Sequence, residues 1–374
     1  MPPRLLHVFP TFAIGGMQTQ FATVANALGG AFRHAIVALD GRTQCRAKLD
    51  PGTPHEFLDP PPGGASGLAA APAIMRFLRR HAPDAIATYN WGAIEWCFVN
   101  RLAGAAPGIH AEHGFGPDEA DRLLMRRNLF RRVALSGGTT LVVPSLTLKQ
   151  VAHRQWGVGA HALRLIPNGI DIAAMESRAR SAAPGFARVA TEIVVGSVAP
   201  LVAVKNHTRL LRIFATASNG DPRWHLVLVG DGPERPSLEA AARRLGIGAR
   251  TSFVGSLDDP AGAIAAIDIL ATTSHTEQMP YCVLEAMALS KPVVAGAVGD
   301  IAAMVARENQ PFVRPRDDEA GLALGLRRLG DDAALRRRVG DANRARCATA
   351  YGEDRMRDAF RSLYEEVAGR RAYL

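Results

Sequence analysis

Short apolar runs alternate with helix-like stretches along nearly the whole chain, and this alternation limits the possible folds more than any other feature. The first half carries such runs at 5–9, 34–40, 84–89, 109–113 and 141–144. The second half carries them at 192–198, 224–229, 251–254, 268–271, 292–295 and 311–313. Strands separated by helices form parallel sheets with helices on both faces. The sequence therefore predicts an α/β protein with two doubly wound domains, in which ligands gather at the carboxyl ends of the strands.

The length of 374 residues suits two domains of roughly 170–190 residues each. The stretch 173–191 is rich in Ala, Ser and Arg without clear periodicity, so we predict the linker there. We expect Rossmann-like domains over 1–180 and 190–350, followed over 351–374 by a helix with one apolar face. The Pro- and Gly-rich segment 50–67 is predicted to be a surface loop.

Composition narrows the class of protein. The net charge of +9 and the pI near 9.9 fit nucleic acid, an anionic membrane or anionic substrates. Nucleic acid is disfavoured because aromatic residues make up only 6% and no zinc-finger or RNA-binding motif occurs. The four cysteines lack the paired spacing of a zinc site, which predicts reduced thiols. Because no apolar run reaches about eighteen residues and the start lacks a signal-peptide pattern, we expect a cytoplasmic protein.

The stretch from His275 to Val305 carries two carboxylates around the start of a short helix. Pro280 suits a first helical position, with Glu277 before the helix and Glu285 inside it. Backbone amides at a helix N-terminus favour an anionic group such as phosphate. The amides concerned are those of Met279, Tyr281 and Cys282. A phosphate flanked by two carboxylates suggests a sugar nucleotide, because its hydroxyls need acceptors and its diphosphate needs donors.

Two features of the first half are candidate ligand contacts. Gly15 and Gly16 lie between the first strand and a helix at 17–28, where glycine lets the backbone approach a phosphate closely. The alternative is a tight turn without a ligand. His113 lies in the run 112–116, where a strand is predicted to end. The alternative there is a structural, hydrogen-bonded histidine.

The segment 121–135 is basic and amphipathic. Its arginines are Arg122, Arg126, Arg127, Arg131 and Arg132, and they interleave with Leu123, Leu124, Leu129, Phe130 and Val133. Such a helix can rest on anionic lipid. It can equally be a solvated helix that packs its apolar stripe on the domain core, and its arginines could instead bind an anionic acceptor.

Glu277, seven further residues, and then Glu285-Ala286-Met287-Ala288, followed by Pro292-Val293-Val294 and Gly299-Asp300, resemble the signature of retaining family 4 glycosyltransferases of the GT-B fold. The resemblance runs over nearly the whole chain. It implies two Rossmann-like domains that face a central cleft, with the terminal helix packing back on the first domain. It also implies that Glu277 faces the donor sugar, that Glu285 binds the ribose, and that Gly15-Gly16 and the helix amides hold the diphosphate.

The resemblance assigns His113, Lys205 and Glu277 to catalysis, with Lys205 neutralising the departing diphosphate. One such electrostatic donor is worth on the order of 3 kcal/mol. The other donor-binding residues that it implies are Asn206, Gly230, Asp231, Val254, Gly255, Gln278, Met279, Pro280, Tyr281, Cys282 and Val283. Three positions depart from the family pattern: Gln278 and Asp300 replace glycines, and Pro200 replaces an arginine. Arg209 or an arginine of the first domain would have to compensate for the last.

We therefore expect a retaining glycosyltransferase that moves a hexose or N-acetylhexosamine from a nucleotide-diphosphate sugar, with UDP as the expected nucleotide, to a glycan or lipid-linked acceptor. No cofactor or metal is expected, since the chain has no Asp-x-Asp triplet. Expected settings are polysaccharide biosynthesis and the inner face of a membrane. The alternatives are a nucleotide-sugar epimerase or phosphorylase of GT-B architecture and a non-catalytic sugar-nucleotide-binding protein. A dinucleotide oxidoreductase is disfavoured because the three-glycine fingerprint is incomplete.

Overall fold

The computed structural model describes residues 1–61, 67–120, 122–180 and 191–370. The chain forms two compact units: Met1–Asn168 together with Asp354–Leu374, and Gly169–Glu353. Each unit contains one wholly parallel sheet, so the predicted fold class is confirmed. In the described ranges, none of the helices combines the length and apolar character needed to cross a bilayer.

The first unit is built on a seven-stranded sheet with strand order β3-β2-β1-β4-β5-β6-β7. Its strands are β1 (Arg4–Phe9), β2 (Arg33–Ala38), β3 (His55–Phe57), β4 (Ala85–Tyr89), β5 (Gly108–Ala111), β6 (Thr140–Val143) and β7 (Leu163–Leu165). Its first helices are α1 (Gly16–Leu28), α2 (Ala71–His81), α3 (Ile94–Ala103), α4 (Met125–Ala134) and α5 (Leu146–Arg154). Alternate residues of β1 enter different cores, since Leu5 and Phe9 pack on one face and Leu6 and Val8 on the other. A central strand that is buried on both faces explains the continuous apolar run.

The second unit repeats this plan with a six-stranded sheet of order β10-β9-β8-β11-β12-β13. Its helices are α6 (Ile172–Arg178), α7 (His207–Ser218), α8 (Arg235–Arg244), α9 (Ala261–Ala266), α10 (Tyr281–Ala288), α11 (Ile301–Met304), α12 (Glu319–Asp331) and α13 (Ala333–Ala350). Its strands are β8 (Ile193–Val198), β9 (Trp224–Val229), β10 (Thr251–Gly255), β11 (Ile269–Thr272), β12 (Val293–Gly296) and β13 (Val313–Arg314). Ile193 and Val195 pack on one face of the sheet and Val194 on the other.

The terminal helix α14 (Glu353–Gly369) packs in the core of the first unit, as the resemblance implies. Its buried residues recur every three or four positions and so form one face. They are Met356, Phe360, Leu363, Tyr364 and Val367. They share a core with Leu5, Phe9 and Phe21.

Two local predictions are wrong. The segment 50–67 is not all loop, because β3 pairs with β2 as the edge strand, with Ile36 opposite Phe57; residues 62–66 lie outside the described part. The predicted linker 173–191 begins inside a helix, since Met175 of α6 is buried in a core of the second unit. The units therefore divide at 168–169 rather than at 180–190, and residues 181–190 lie outside the described part.

Candidate active site

Lys205 and Glu277 form a direct ion pair in the second unit. The Nζ atom of Lys205 lies 2.5 Å from Oε1 of Glu277, which also accepts a hydrogen bond of 2.7 Å from Ser274 Oγ. The two charged side chains are 23% and 12% exposed. Burial opposes the charge of the ammonium, but attraction to Glu277 outweighs it and raises the pKa of Lys205. Lys205 is therefore charged at neutral pH and held in one place.

The order of strands in the sheet brings this pair together. Lys205 follows β8 and Glu277 follows β11, and these strands are parallel neighbours whose carboxyl ends lie side by side. Backbone contacts fix the two loops, since the amide of His275 donates to the carbonyl of Val204 at 2.8 Å. The pair thus lies at the carboxyl edge of the sheet, where ligands of such folds bind.

Asn206 has a structural task in this loop. It adopts a left-handed conformation, with φ of 50°, and its side-chain oxygen caps α7 by accepting from the Arg209 amide at 3.3 Å. Behind it, His207 is buried. Burial, and then the nearby charge of Lys205, lower the pKa of His207 to about 4.

The start of α10 gathers the other predicted donor contacts. Pro280 is the N-cap and the helix begins at Tyr281, one residue later than predicted. Burial of the Cys282 thiol, together with the nearby charges of Glu277 and Glu285, raises its pKa to about 12, while the charge of Lys205 opposes the shift. One lysine and two carboxylates therefore surround this helix start, which is the arrangement that the sequence predicts.

Three residues around the start of α10 face inward. The side chain of Met279 is in the apolar core, and Gln278 is buried with its carbonyl accepting from the Asp300 amide at 2.9 Å. Val283 offers a ligand neither its side chain, which is fully buried, nor its amide, which donates to Pro280 at 3.2 Å. The prediction that Val283 contacts the donor is therefore not supported.

Glycines set the shape of the neighbouring loops. Gly299 has φ of +54°, and a Cβ added there would lie 2.3 Å from the Glu277 carbonyl oxygen. Gly230, with φ of +138°, approaches Ala199 so closely that an added Cβ would lie 2.0 Å from its carbonyl oxygen. Only glycine fits both the left-handed backbone and these contacts.

The predicted nucleotide-pocket residues lie together at the ends of β9 and β10. The amide of Gly230 donates to the carbonyl of Gly255 at 2.8 Å, next to the partly buried Val254. Asp231 closes the turn by accepting from the Gly232 amide at 2.7 Å. Its carboxylate is half exposed.

Arg209 does not supply the cation that Pro200 lacks. Its Nη1 donates to the Arg316 carbonyl at 2.7 Å, its Nη2 donates to Asp317 at 2.9 Å, and its Nε lies 3.6 Å from Glu319. The side chain is only 10% exposed. The Arg209 side chain therefore binds the segment 316–319, which leads into α12.

In the first unit, Gly15 and His113 both lie at strand-to-helix connections. Gly15 is the extended N-cap of α1, with Gly16 as the first helical residue, and the cap makes no side-chain hydrogen bond. His113 follows β5, and its amide donates to Asn90 Oδ1 at 2.7 Å. Burial, and then the neighbouring His110, lower the pKa of His113 to about 4, so its imidazole is neutral at pH 7.

Sequence reasoning missed a buried charge network beside His113. Arg131 is fully buried and holds Glu119 with two hydrogen bonds of 3.0 and 2.8 Å, while its Nε lies 3.5 Å from Glu112. Three aromatic rings surround the guanidinium at 4.9–5.4 Å, those of Trp91, Phe115 and Trp156. The network fastens the segment 112–120 to α4. The sequence signal that could have indicated this network is Glu112, a charged residue directly after the buried strand β5.

The basic segment 121–135 is therefore not a row of five free arginines; Asp121, its first residue, lies outside the described part. Arg127 also faces inward, 2.5 Å from Asp118 and 3.2 Å from Glu119. Arg122, Arg126 and Arg132 are exposed. The predicted apolar stripe is divided, because Phe130 packs against Trp91 and Phe98. The exposed apolar residues of α4 are Met125 at 85%, Leu129 at 65% and Val133 at 42%.

Among the described residues, no three His, Cys, Asp or Glu side chains are grouped as a metal ion would require.

Comparison with known proteins yields two family models. "Glycosyltransferase Family 4" matches residues 14–174 and "Glycosyl transferases group 1" matches residues 183–346. A D-inositol 3-phosphate glycosyltransferase of Saccharomonospora viridis is 30% identical over 313 residues, 76% of this chain and 70% of that protein. The lipopolysaccharide core biosynthesis glycosyltransferase LpsD of Rhizobium meliloti is 30% identical over 207 residues, 54% of this chain, and the match spans only 59% of LpsD. The crystal structure of Anabaena HepE in complex with UDP and glucose superposes with a TM-score of 0.80 at 20% identity, over 97% of this chain and 100% of HepE.

Proposed function

Because this chain belongs to the family 4 glycosyltransferases of the GT-B fold, we propose that it transfers a hexose or an N-acetylhexosamine from a UDP-sugar to a glycan or lipid-linked acceptor. The observation that carries the proposal is the Lys205–Glu277 ion pair at the start of α10. UDP as the nucleotide is supported by the structure of HepE with UDP and glucose. A role in polysaccharide biosynthesis is supported by LpsD, which is named for lipopolysaccharide core biosynthesis.

Lys205 would stabilise the leaving group. When the bond between the anomeric carbon and the diphosphate breaks, negative charge builds up on the phosphate oxygen, and a fixed ammonium lowers that barrier by on the order of 3 kcal/mol. An ammonium has three N–H donors, so Lys205 can keep its bond to Glu277 and still donate to phosphate. We infer that this cation and the amides of α10 replace a metal ion.

The carboxylates would bind hydroxyl groups. Glu277 is held by Lys205 and Ser274, so its oxygens can accept from sugar hydroxyls in one fixed geometry. Glu285 lies in α10, eight residues after Glu277, and would accept from the ribose. Fixing both ends of the donor in this way positions the anomeric carbon for reaction.

We infer that the sugar keeps its anomeric configuration. The acceptor oxygen would bond to the anomeric carbon on the face that the diphosphate leaves, and the acceptor proton would pass to the departing phosphate oxygen. No protein side chain has to accept the acceptor proton in this step. His113 is neutral and would serve as a hydrogen-bond partner of the acceptor, while Gly15 and Gly16 stay predicted contacts of the diphosphate.

We further propose that α4 contacts an anionic membrane carrying a lipid-linked acceptor. Met125, Leu129 and Val133 recur every four residues and so form one exposed apolar face. The exposed Arg126 and Arg132 flank it, and each basic side chain near anionic lipid is worth about 1 kcal/mol. Leu129→Ser should reduce co-sedimentation with vesicles that contain phosphatidylglycerol. Equal recovery with neutral and anionic vesicles at low salt would contradict this proposal. That the protein lies at the cytoplasmic face of the membrane remains a prediction.

A transfer assay tests the proposed function. UDP-, GDP- and ADP-sugars are incubated with glycan and lipid-linked acceptors, with and without EDTA, and the anomeric configuration of the product is read by NMR. We expect an α-linked product from an α-linked UDP-sugar, formed at the same rate in EDTA. Conversion of the donor without an acceptor would indicate an epimerase, and binding without turnover would indicate a non-catalytic protein. Loss of activity in EDTA would overturn the metal-free mechanism.

A further inference from the structure

Asn90 has a backbone conformation that is ordinarily found at glycine. It follows β4 directly, with φ of 54° and ψ of 179°. Asn206 and Asn219 also have positive φ, but with ψ of 48° and 41° they lie in the left-handed helical region, which asparagine tolerates. The conformation of Asn90 is instead close to the mirror image of an extended strand. Because that region is nearly confined to glycine, an asparagine there strains the backbone.

The surrounding chain holds this strained conformation in place. The Asn90 amide donates to the carbonyl of Ala111, the last residue of β5, at 2.8 Å, and its carbonyl accepts from the Ala93 amide at 3.2 Å. Gly92 lies so close to Pro10, which follows β1, that an added Cβ would be 2.8 Å from the Pro10 ring. Strain of this kind is retained where neighbours enforce it, and its place at the carboxyl edge of the sheet indicates a functional role.

The side chain of Asn90 holds the backbone of His113. Its Oδ1 accepts from the His113 amide at 2.7 Å. One residue earlier, the Glu112 amide still donates to a strand, since it reaches the carbonyl of Val142 in β6 at 3.0 Å. The His113 amide is thus received by a side chain where the strand pattern ends. Asn90 therefore determines where the chain goes as it leaves β5.

The imidazole of His113, by contrast, is not anchored. Within the described ranges, its ring nitrogens form no hydrogen bond, and the residue is partly exposed. This does not fit a structural histidine, which would be held by its ring. A neutral imidazole can donate from one nitrogen and accept at the other. Because the ring itself is not held, its position depends on the backbone of His113, which the Asn90 oxygen holds.

We propose that Asn90 is a positioning residue for sugar transfer, which places His113 against the acceptor. The inference rests on the proposed function, in which His113 is a hydrogen-bond partner of the acceptor. Glycine at this position would relieve the strain but has no oxygen to hold the His113 amide. Asparagine supplies that oxygen and lowers the stability of the loop, which is the trade between stability and activity expected at a functional site.

Substitutions of Asn90 test the role of its oxygen. The assay measures kcat/KM for transfer from UDP-glucose to whichever acceptor of the tested glycans and lipid-linked acceptors gives the fastest reaction. Asn90→Gly and Asn90→Ala both remove the oxygen, and each should lower kcat/KM by about tenfold, the loss expected for one hydrogen bond. Asn90→Asp keeps an acceptor oxygen and should recover part of the loss. The affinity for UDP, measured by calorimetry, should stay within about twofold of the wild type.

Stability and coupling distinguish positioning from a purely structural role. Glycine is ordinarily less stabilising than alanine, but at a strained positive φ the order reverses, so the Tm of Asn90→Gly should exceed that of Asn90→Ala by about 2–4 °C. In a His113→Ala background, Asn90→Gly should change kcat/KM by less than about twofold, because Asn90 acts through His113. The matched control is Asn219→Gly, which changes an exposed asparagine with φ of 44° at the end of α7 and should transfer sugar like the wild type.

An unchanged kcat/KM in Asn90→Gly would overturn the proposal. So would a UDP affinity that falls as much as kcat/KM, since that would indicate a general distortion, or losses that add in the double variant with His113→Ala. A higher Tm for Asn90→Ala than for Asn90→Gly would contradict the strain on which the inference depends. Each of these outcomes leaves the proposed function intact if the wild type transfers sugar. If the wild type transfers no sugar from UDP-, GDP- or ADP-sugars, the proposed function itself fails.

Discussion

Replacing Arg131 with methionine should destabilise the first unit by more than the loss of one hydrogen bond. The guanidinium is fully buried, makes two hydrogen bonds to Glu119, and lies 3.5 Å from Glu112. Both carboxylates are also buried. Methionine has a similar length and can keep the contacts with the surrounding rings, so the change removes the charge that faces both carboxylates. Glu119 keeps Arg127, 3.2 Å away, as a cationic neighbour.

The magnitude follows from that loss of compensation. Removing one partner of a buried ion pair costs about 3–5 kcal/mol, since the remaining charge stays away from water. The two hydrogen bonds that Arg131 makes to Glu119 place the expected value in this range. In the double variant Arg131→Met/Glu119→Gln one of the two buried carboxylate charges is removed, so we expect part of the stability to return.

Urea unfolding followed by tryptophan fluorescence measures this change. Three of the four tryptophans belong to the first unit, and the rings of Trp91 and Trp156 lie 4.9 and 5.1 Å from the guanidinium. Arg132→Met is the matched control, because the next residue of α4 is exposed, and it should stay within about 0.5 kcal/mol of the wild type. A loss below about 1 kcal/mol for Arg131→Met is the size expected of an exposed pair, and it would refute the argument that Arg131 stabilises the fold as a buried cation.

Three further outcomes are expected. Glu285→Ala should weaken UDP binding without unfolding the protein, because alanine suits a helix; calorimetry on the folded variant checks this, and an unchanged affinity would remove Glu285 from the site. Lys205→Ala should lower the single-turnover transfer rate by about a hundredfold and nucleotide affinity much less, since the charge that it meets develops in the transition state; a normal rate would exclude it from catalysis. His207 has a pKa lowered to about 4 by burial and then by Lys205. Between its ordinary pKa near 6.5 and this value the unfolded chain binds the proton that the folded protein rejects, so stability falls as pH drops through that window. His207→Gln should flatten this part of the Tm–pH curve, and an unchanged slope would contradict the assignment.

The sequence predicted most strands to within one or two residues because buried parallel strands are continuous apolar runs between polar turns. Both ends of strand β9 were predicted correctly, and its carboxyl end is marked by Gly230, which follows it directly. The edge strand β3 was missed for the opposite reason: it has only three residues, His55, Glu56 and Phe57, and its partner β2 rather than its own pattern makes it a strand. The helix α6 was missed because a stretch rich in Ala, Ser and Arg has little periodicity. Its one buried residue, Met175, packs in a core of the second unit, and a single apolar residue gives no helical pattern.

The sequence predicts the residues of the candidate site but not the contacts between them. The spacing of Glu277 and Glu285 around a helix start is a local property, which a sequence can reveal. The bond between Lys205 and Glu277 joins residues 72 positions apart, and it depends on β8 and β11 being neighbours in the sheet.

The helix α4 shows a different limit of sequence reasoning, because periodicity tells which residues share a face but not which face is buried. Arg127 and Arg131 are four residues apart and both face the protein, where Glu119 receives them. Met125, Leu129 and Val133 are also four apart and face outward. This is the reverse of an ordinary surface helix, whose apolar stripe is worth about 25 cal/mol per Å² when it is removed from water. The buried ion pairs bring no comparable gain. The outward apolar face is therefore an unused source of binding energy in the isolated chain, and covering it with lipid is the use that our membrane proposal assigns to it.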